Sequence, residues 1–251
     1  MEPVYVAQRL APPARKALLE SILTDARTRS AEGAPVVVFD LDGTLMDNRP
    51  RVVAILHELA EVWRDEYPEA AAACANATAE DVVYELIANL KKLGIHDPAL
   101  HERGLFFWRE RFFQDPHMRF DVAVPGSQAF AHACYAAGAV LVYMTGRDLP
   151  NMALGTFASL RDLGFPIGVI GTELVVKPAF EIPDTEFKAG ILRDLTRLGR
   201  VIAAFDNEAA NVNLFLDAFP SCVSVLLDTQ HAPNPPALDP RGHVIETFEM
   251  S

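Results

Sequence analysis

Short unbroken apolar runs recur along the chain: VVVF (36–39), AVLVYM (139–144), PIGVIG (166–171), VIAAF (201–205) and CVSVLL (222–227). Each is rich in β-branched residues or too short for a helix, and runs of this kind predict strands buried on both faces. Amphipathic stretches of helical length lie between them, among them SQAFAHACYAAG, ALGTFASLRDLG and FKAGILRDLTRLG. Buried strands alternating with helices predict a parallel sheet with helices on both sides, a doubly wound α/β fold. Ahead of the first strand, residues 13–30 carry Ala17, Leu18 and Ile22 on one helical face, which predicts an N-terminal helix within an extension spanning 1–34.

The alternation is broken once. Roughly a hundred residues separate the first apolar run from the second, far more than a βαβ crossover needs. Their periodicity is helical. RPRVVAILHELAEVWRDEY sets Val53, Leu56, Leu59 or Ala60, and Trp63 on one side; AEDVVYELIANLKKLG does the same with Val82, Leu86, Ile87 and Leu90. LFFWRERFF adds a third, aromatic-rich segment, and the alanine-rich AAAACANATA fits a helix end followed by a turn. The expected organisation is a helical insertion over 49–121 within a core formed by 35–48 and 122–251.

Composition narrows the setting. The 251 residues are 50% apolar and 22% charged, enough for a sizeable core, and their net charge of −12 repels a nucleic-acid backbone. No apolar run approaches the roughly 20 residues of a membrane span. The first residues, MEPVYVAQRLAPPARK, lack a signal peptide's apolar region, and the three cysteines are widely spaced among Ala and Val. A cytoplasmic protein with reduced core cysteines is expected, acting on neither nucleic acid nor membrane. Oligomeric state is not readable from these features.

The candidate chemistry lies where the strands end. In a doubly wound sheet, ligands bind beyond the carboxyl ends of the strands. The first run ends in Asp40 with Asp42 just after it, the second in Thr145-Gly146-Arg147-Asp148, and the fourth in Asp206-Asn207-Glu208; Lys188 stands in the helix leading to the fourth. Crowded carboxylates repel one another and suit a hard cation such as Mg2+. A carboxylate beside that cation can attack phosphorus, with a threonine hydroxyl, backbone amides and an ammonium holding the equatorial oxygens. A second carboxylate then has separate work, because a leaving alkoxide must gain a proton and a later water must lose one.

In that order and after those strands, VFDLDGTL, VYMTGRD, FK and FDNE resemble the four signature motifs of the haloacid dehalogenase-like (HAD) superfamily, over residues 36 to about 227. The resemblance implies Asp40 as nucleophile and Asp42 as general acid/base, the latter also offering its backbone carbonyl to the metal. It implies that Thr145 binds the phosphoryl group, that Lys188 bridges nucleophile and phosphate, and that Asp206 completes a Mg2+ site with Asn207 beside it. Lys177, which precedes Pro178, is the alternative lysine. Gly146, Arg147 and Arg49 are substrate-binding candidates; Arg147 and Asp148 also fit a salt bridge within their loop. The helical insertion resembles the family's cap. Arg51, Arg109, Arg111 and His117 fit either substrate contacts there or a solvated face, and Phe106, Phe107, Phe112 and Phe113 fit the cap's own core. Because Asp42 is retained, phosphoryl chemistry is favoured over carbon–halogen cleavage. The implied function is a Mg2+-dependent phosphatase acting on a small phosphorylated metabolite. A phosphotransferase or phosphomutase, and a non-enzymatic phosphate-binding or phospho-receiver protein, stand as alternatives.

Overall fold

The computed structural model describes residues 8–28 and 33–250. By its contacts the chain divides into two compact units, one formed by 1–46, 123–150 and 160–251, the other by 47–122 and 151–159.

The first unit is built on the strands β1 (Pro35–Phe39), β4 (Val140–Asp148), β5 (Thr172–Lys177), β6 (Arg200–Asp206), β7 (Val223–Leu227) and β8 (His243–Ile245). The short β2 (Met46–Asp47) and β3 (Val122–Ala123) form a separate two-stranded ribbon where the chain passes between units. The six-stranded sheet runs β5-β4-β1-β6-β7-β8, and every pairing is parallel. It is flanked by α1 (Pro12–Ala26), α6 (Ser127–Ala136), α8 (Asp184–Leu195) and α9 (Ala209–Ala218). The predicted N-terminal helix thus ends at Ala26; Arg29 and Ser30 lie outside the described residues.

Strand alternation divides the core in two. Val37 and Phe39 pack with Leu19 and Ile22 of α1 and with Phe130 of α6, whereas Val36 and Val38 pack with Leu192 and Leu195 of α8 and Phe215 of α9. Central β1 is therefore buried along its whole length, which is why its run is unbroken in the sequence.

The edges of the sheet differ from expectation. PIGVIG is a loop, in which Ile170 is 97% exposed, and β5 begins after it at Thr172. Proline and two glycines in six residues make a poor ladder. TELVVK pairs on one side only and is mostly half-buried, so it lacks an apolar signature. The other edge, β8, has three residues and gives no usable signal.

The second unit contains α2 (Arg49–Trp63), α3 (Pro68–Ala75), α4 (Leu86–Lys92), α5 (Pro98–Phe112), a 3-10 turn (Asp115–Phe120), and residues 151–159 of α7 (Leu149–Asp162). Alternating strands and helices would put α7 entirely with the sheet. Instead its central residues group with the helical unit, where Ser159 Oγ donates to the Met118 carbonyl at 2.7 Å. Proline in the first turn opens α2, α3 and α5, where its missing N–H costs nothing, and Asp97 caps α5 by accepting from the Ala99 amide at 2.8 Å.

The core of this unit gathers Leu56, Leu59 and Trp63 with Leu86, Leu90 and Leu100. The helix expected over 79–94 is shorter, because Asn89 takes the Val83 amide at 2.6 Å and donates to the Val83 carbonyl at 3.1 Å. That pair draws the chain before Leu86 out of helical register. Arg51 is fully buried and grips Asp121 at 2.8 and 2.5 Å. Its guanidinium also lies 4.5 Å from the centre of the Phe112 ring. Arg111 and His117 both bond Glu58, Arg109 is exposed, and Phe106 is 68% exposed while Phe107 and Phe112 pack on the core.

Candidate active site

Register alone brings the site's first members together. Phe39 of β1 stands level with Tyr143 of β4 and with Phe205 of β6. Asp40 follows Phe39 and Asp206 follows Phe205, so two carboxylates leave adjacent parallel strands at the same height. The Asp40 amide donates to the Phe205 carbonyl at 2.9 Å and closes that level. Thr145 comes two residues after Tyr143 on the other neighbour and is 1% exposed. There the β4–β5 pairing slips between Met144 and Asp148, which frees residues 145–147 from the ladder.

Lys188 joins the two acids. It is the fifth residue of α8, 2% exposed, and its Nζ lies 2.7 Å from Asp40 Oδ1 and 2.6 Å from Asp206 Oδ2. Lys177 is engaged elsewhere. Its Nζ donates to the carbonyls of Phe180 at 3.1 Å and Ile182 at 2.9 Å, in the loop that follows it, and to Asp184 Oδ1 at 2.8 Å at the start of α8. Asp184 in turn lies against Gly146, where a Cβ would come within 2.0 Å of its carboxylate. Gly146 is thus a close-packing position.

Arg147 reaches the first loop. Its Nε and one terminal nitrogen each lie 2.8 Å from an oxygen of Asp42, and the same terminal nitrogen is 3.8 Å from Met46 Sδ. The Arg147 amide donates to Thr145 Oγ1 at 3.3 Å. Arg49 binds its neighbour Asp47 at 2.7 Å.

The 228–232 segment braces the acidic loops from behind. Asn207 Nδ2 donates to the Gln230 carbonyl at 2.6 Å, Thr229 donates to the Gly43 carbonyl at 2.5 Å, and Ala232 donates to Glu208 Oε1 at 2.7 Å. Gly43 has φ +77°, and a Cβ there would meet Asn207 Nδ2 at 2.4 Å. The turn after Asp42 therefore needs glycine for both conformation and space.

Electrostatically the site is short of positive charge. Asp40, Asp42 and Asp206 face Lys188 and Arg147, three carboxylates against two cations. Burial, reinforced by Asp206 and Asp42 and opposed by Lys188, pushes the Asp40 carboxyl up to about 7. Lys188 is held above its ordinary range, because its two carboxylates outweigh its own burial. Two charge-assisted hydrogen bonds hold the lysine's proton, while burial, with the second acid sharing that lysine, raises the Asp40 carboxyl. Burial also raises Glu208.

The donors fit a hard divalent cation. Asp40 and Asp206 present carboxylate oxygens at one level. Beside them Asn211, 3% exposed, donates to Asp206 Oδ1 at 3.1 Å and leaves its own Oδ1 buried with no hydrogen-bond partner among the described residues. An orphaned buried acceptor beside surplus negative charge is a place for a cation or the water it carries. Among the described residues no three Asp, Glu, His or Cys side chains converge as a cage, because Asp40 and Asp206 close on Lys188 instead. The sequence motif pointed to Asn207 beside Asp206 and did not single out Asn211. The orphan oxygen separates them, and only three-dimensional placement reveals it.

The family model of haloacid dehalogenase-like hydrolases matches residues 34–208. No curated protein sequence matches the chain. Among solved structures, a protein provisionally named a phosphatase from Clostridium difficile aligns at 13% identity over 88% of this chain and 96% of its own, with a TM-score of 0.54. A predicted phosphoglycolate phosphatase from Haemophilus somnus aligns at 14% identity over 85% and 94%. A provisionally named beta-phosphoglucomutase from Thermotoga maritima aligns at 17% over 82% and 94%. The first shows a shared fold; the other two, each at a TM-score of 0.45, carry no argument.

Proposed function

Because the chain belongs to the haloacid dehalogenase-like hydrolases, we propose that it is a Mg2+-dependent phosphatase that cleaves a small phosphorylated metabolite through a phosphoryl group carried on Asp40. The observation that carries the reading is Lys188 bonded to both Asp40 and Asp206, with Asp42 two residues beyond Asp40.

In this mechanism a carboxylate oxygen of Asp40 attacks phosphorus, and the bond to the leaving oxygen breaks. Asp42 gives that oxygen its proton. Asp42 then takes a proton from water as the water attacks the phosphoryl group, which releases inorganic phosphate and regenerates the Asp40 carboxylate. Lys188 holds charge on the transferring group, and the Thr145 hydroxyl donates to one of its oxygens. Asp40, Asp206, the Asp42 carbonyl and the side chain of Asn211 or Asn207 would hold Mg2+, which supplies neutralisation of phosphate charge next to the carboxylates. In this reading the helical unit serves as a cap. That role, with the net charge of −12, favours a small substrate over a polyanion.

Phosphate release from an aryl phosphate and a panel of small phosphate esters, with Mg2+ and with chelator, tests the proposal. Release that needs the metal supports it. Transfer of the phosphoryl group to a second hydroxyl without free phosphate would favour the phosphotransferase reading, and no turnover of any phosphate ester would overturn both.

A further inference from the structure

We propose that Arg147 is a positioning residue for Asp42 and not a substrate contact; the proposal rests on the hydrolase reading above, in which Asp42 moves the proton. Both carboxylate oxygens of Asp42 are taken at 2.8 Å by nitrogens of one guanidinium, the fork-on-carboxylate geometry that fixes orientation as well as distance. The two partners differ in access. The Arg147 side chain is 1% exposed and that of Asp42 is 29% exposed. The open side of the pair therefore belongs to the carboxylate, and the guanidinium lies behind it, against Met46 Sδ.

The backbone is arranged for this reach. The slip in the β4–β5 ladder falls at residues 145–147, and the Arg147 amide is tied to the Thr145 hydroxyl, so one slipped stretch at the end of β4 carries both the threonine and the arginine that crosses to the Asp42 turn. A short aspartate in a turn keeps several rotamers unless something holds it. Proton transfer to a leaving oxygen demands one of them within hydrogen-bond reach. Arg147 supplies that restraint and so links the end of β4 to the loop after β1, 105 residues apart.

The test is a double-mutant cycle on Arg147→Ala and Asp42→Asn, assayed with an aryl phosphate and an alkyl phosphate and checked for folding by thermal melting. Arg147→Ala is expected to lower kcat about 10- to 100-fold with KM little changed. The loss should be larger for the alkyl leaving group, which needs the proton more, and partly reversed by added guanidinium ion. In the Asp42→Asn background the same substitution should cost nothing more. A rise in KM at unchanged kcat, or an undiminished further loss in Asp42→Asn, would overturn the positioning role and make Arg147 a substrate contact. Should Arg147→Ala fail to fold, Arg147→Lys, which keeps the charge but not the fork, must show the same kcat pattern. Absence of metal-dependent phosphate release by the unsubstituted protein would overturn the phosphatase reading and this role with it.

Discussion

The ammonium of Lys188 lies 2.7 Å from a carboxylate oxygen of Asp40, although 148 positions separate them in the chain. The contact exists because α8 delivers Lys188 to the carboxyl end of the sheet, where β1 and β6 end level and bring Asp206 within 2.6 Å of the same nitrogen. One buried cation thus holds two buried acids, and removing it would leave both uncompensated.

Lys188→Met is accordingly predicted to lower kcat about 10²- to 10³-fold, the scale of losing one preorganised donor to a developing charge. Lys177→Met should leave turnover close to that of the unsubstituted enzyme, because among the described residues Lys177 bonds its own loop and Asp184. Steady-state kinetics of the two variants decides which lysine serves the site; the reverse pattern would exchange their roles.

Asp40→Asn should show a pH signature in stability. A carboxyl whose folded pKa is raised towards 7 binds its proton more tightly when folded, so its favourable contribution is full below the ordinary carboxylate range and is lost as pH rises through about 7. Asparagine removes that dependence. In chelator, thermal melting of Asp40→Asn should gain on the unsubstituted protein from pH 5 to pH 8. An equal difference at both values would mean that Asp40 is not strained by burial.

Within the helical unit, Arg51 and Asp121 form a fully buried pair. Arg51→Met alone should destabilise by about 3–5 kcal/mol, because it removes one partner of a buried ion pair. Adding Asp121→Leu should recover much of that loss, since an apolar pair of similar volume avoids the desolvation. Chemical denaturation of the single and double variants measures both effects.

At the Asp42 turn, Gly43→Ala meets two obstacles, a left-handed φ and the amide of Asn207. The first costs about 1–2 kcal/mol. The second should break the Asn207–Gln230 bond. In Gly43→Ala combined with Asn207→Ala the clash with Asn207 is removed and only the 3.2 Å approach to the Gln230 carbonyl remains, so the double variant should lose less than the sum of the single losses. Strict additivity in melting would show that the side chain gives way without cost.

Much of this was legible in the sequence where a residue's surroundings are uniform. The runs of β1, β4, β6 and β7 declare themselves because central strands are covered on both faces, and the acids at their ends follow from where ligands bind on such a sheet. At the edges the signal fades. TELVVK faces one neighbour and half-solvent, so its pattern is mixed and the more apolar PIGVIG drew the assignment instead. The length of α4 was hidden because one side chain, Asn89, overrides local propensity. The partners of Arg147 and Asn211 depend on where a side chain turns after its strand ends, which no periodicity records.

The proposed mechanism carries the phosphoryl group on Asp40. The most direct measurement is acid-quenched turnover of a 32P-labelled aryl phosphate with Mg2+, followed by digestion and mass spectrometry of the labelled peptide. Label is expected on the peptide containing Asp40, and both label and turnover are expected to be absent in Asp40→Asn. Label on another residue, or undiminished phosphate release by Asp40→Asn, would contradict it.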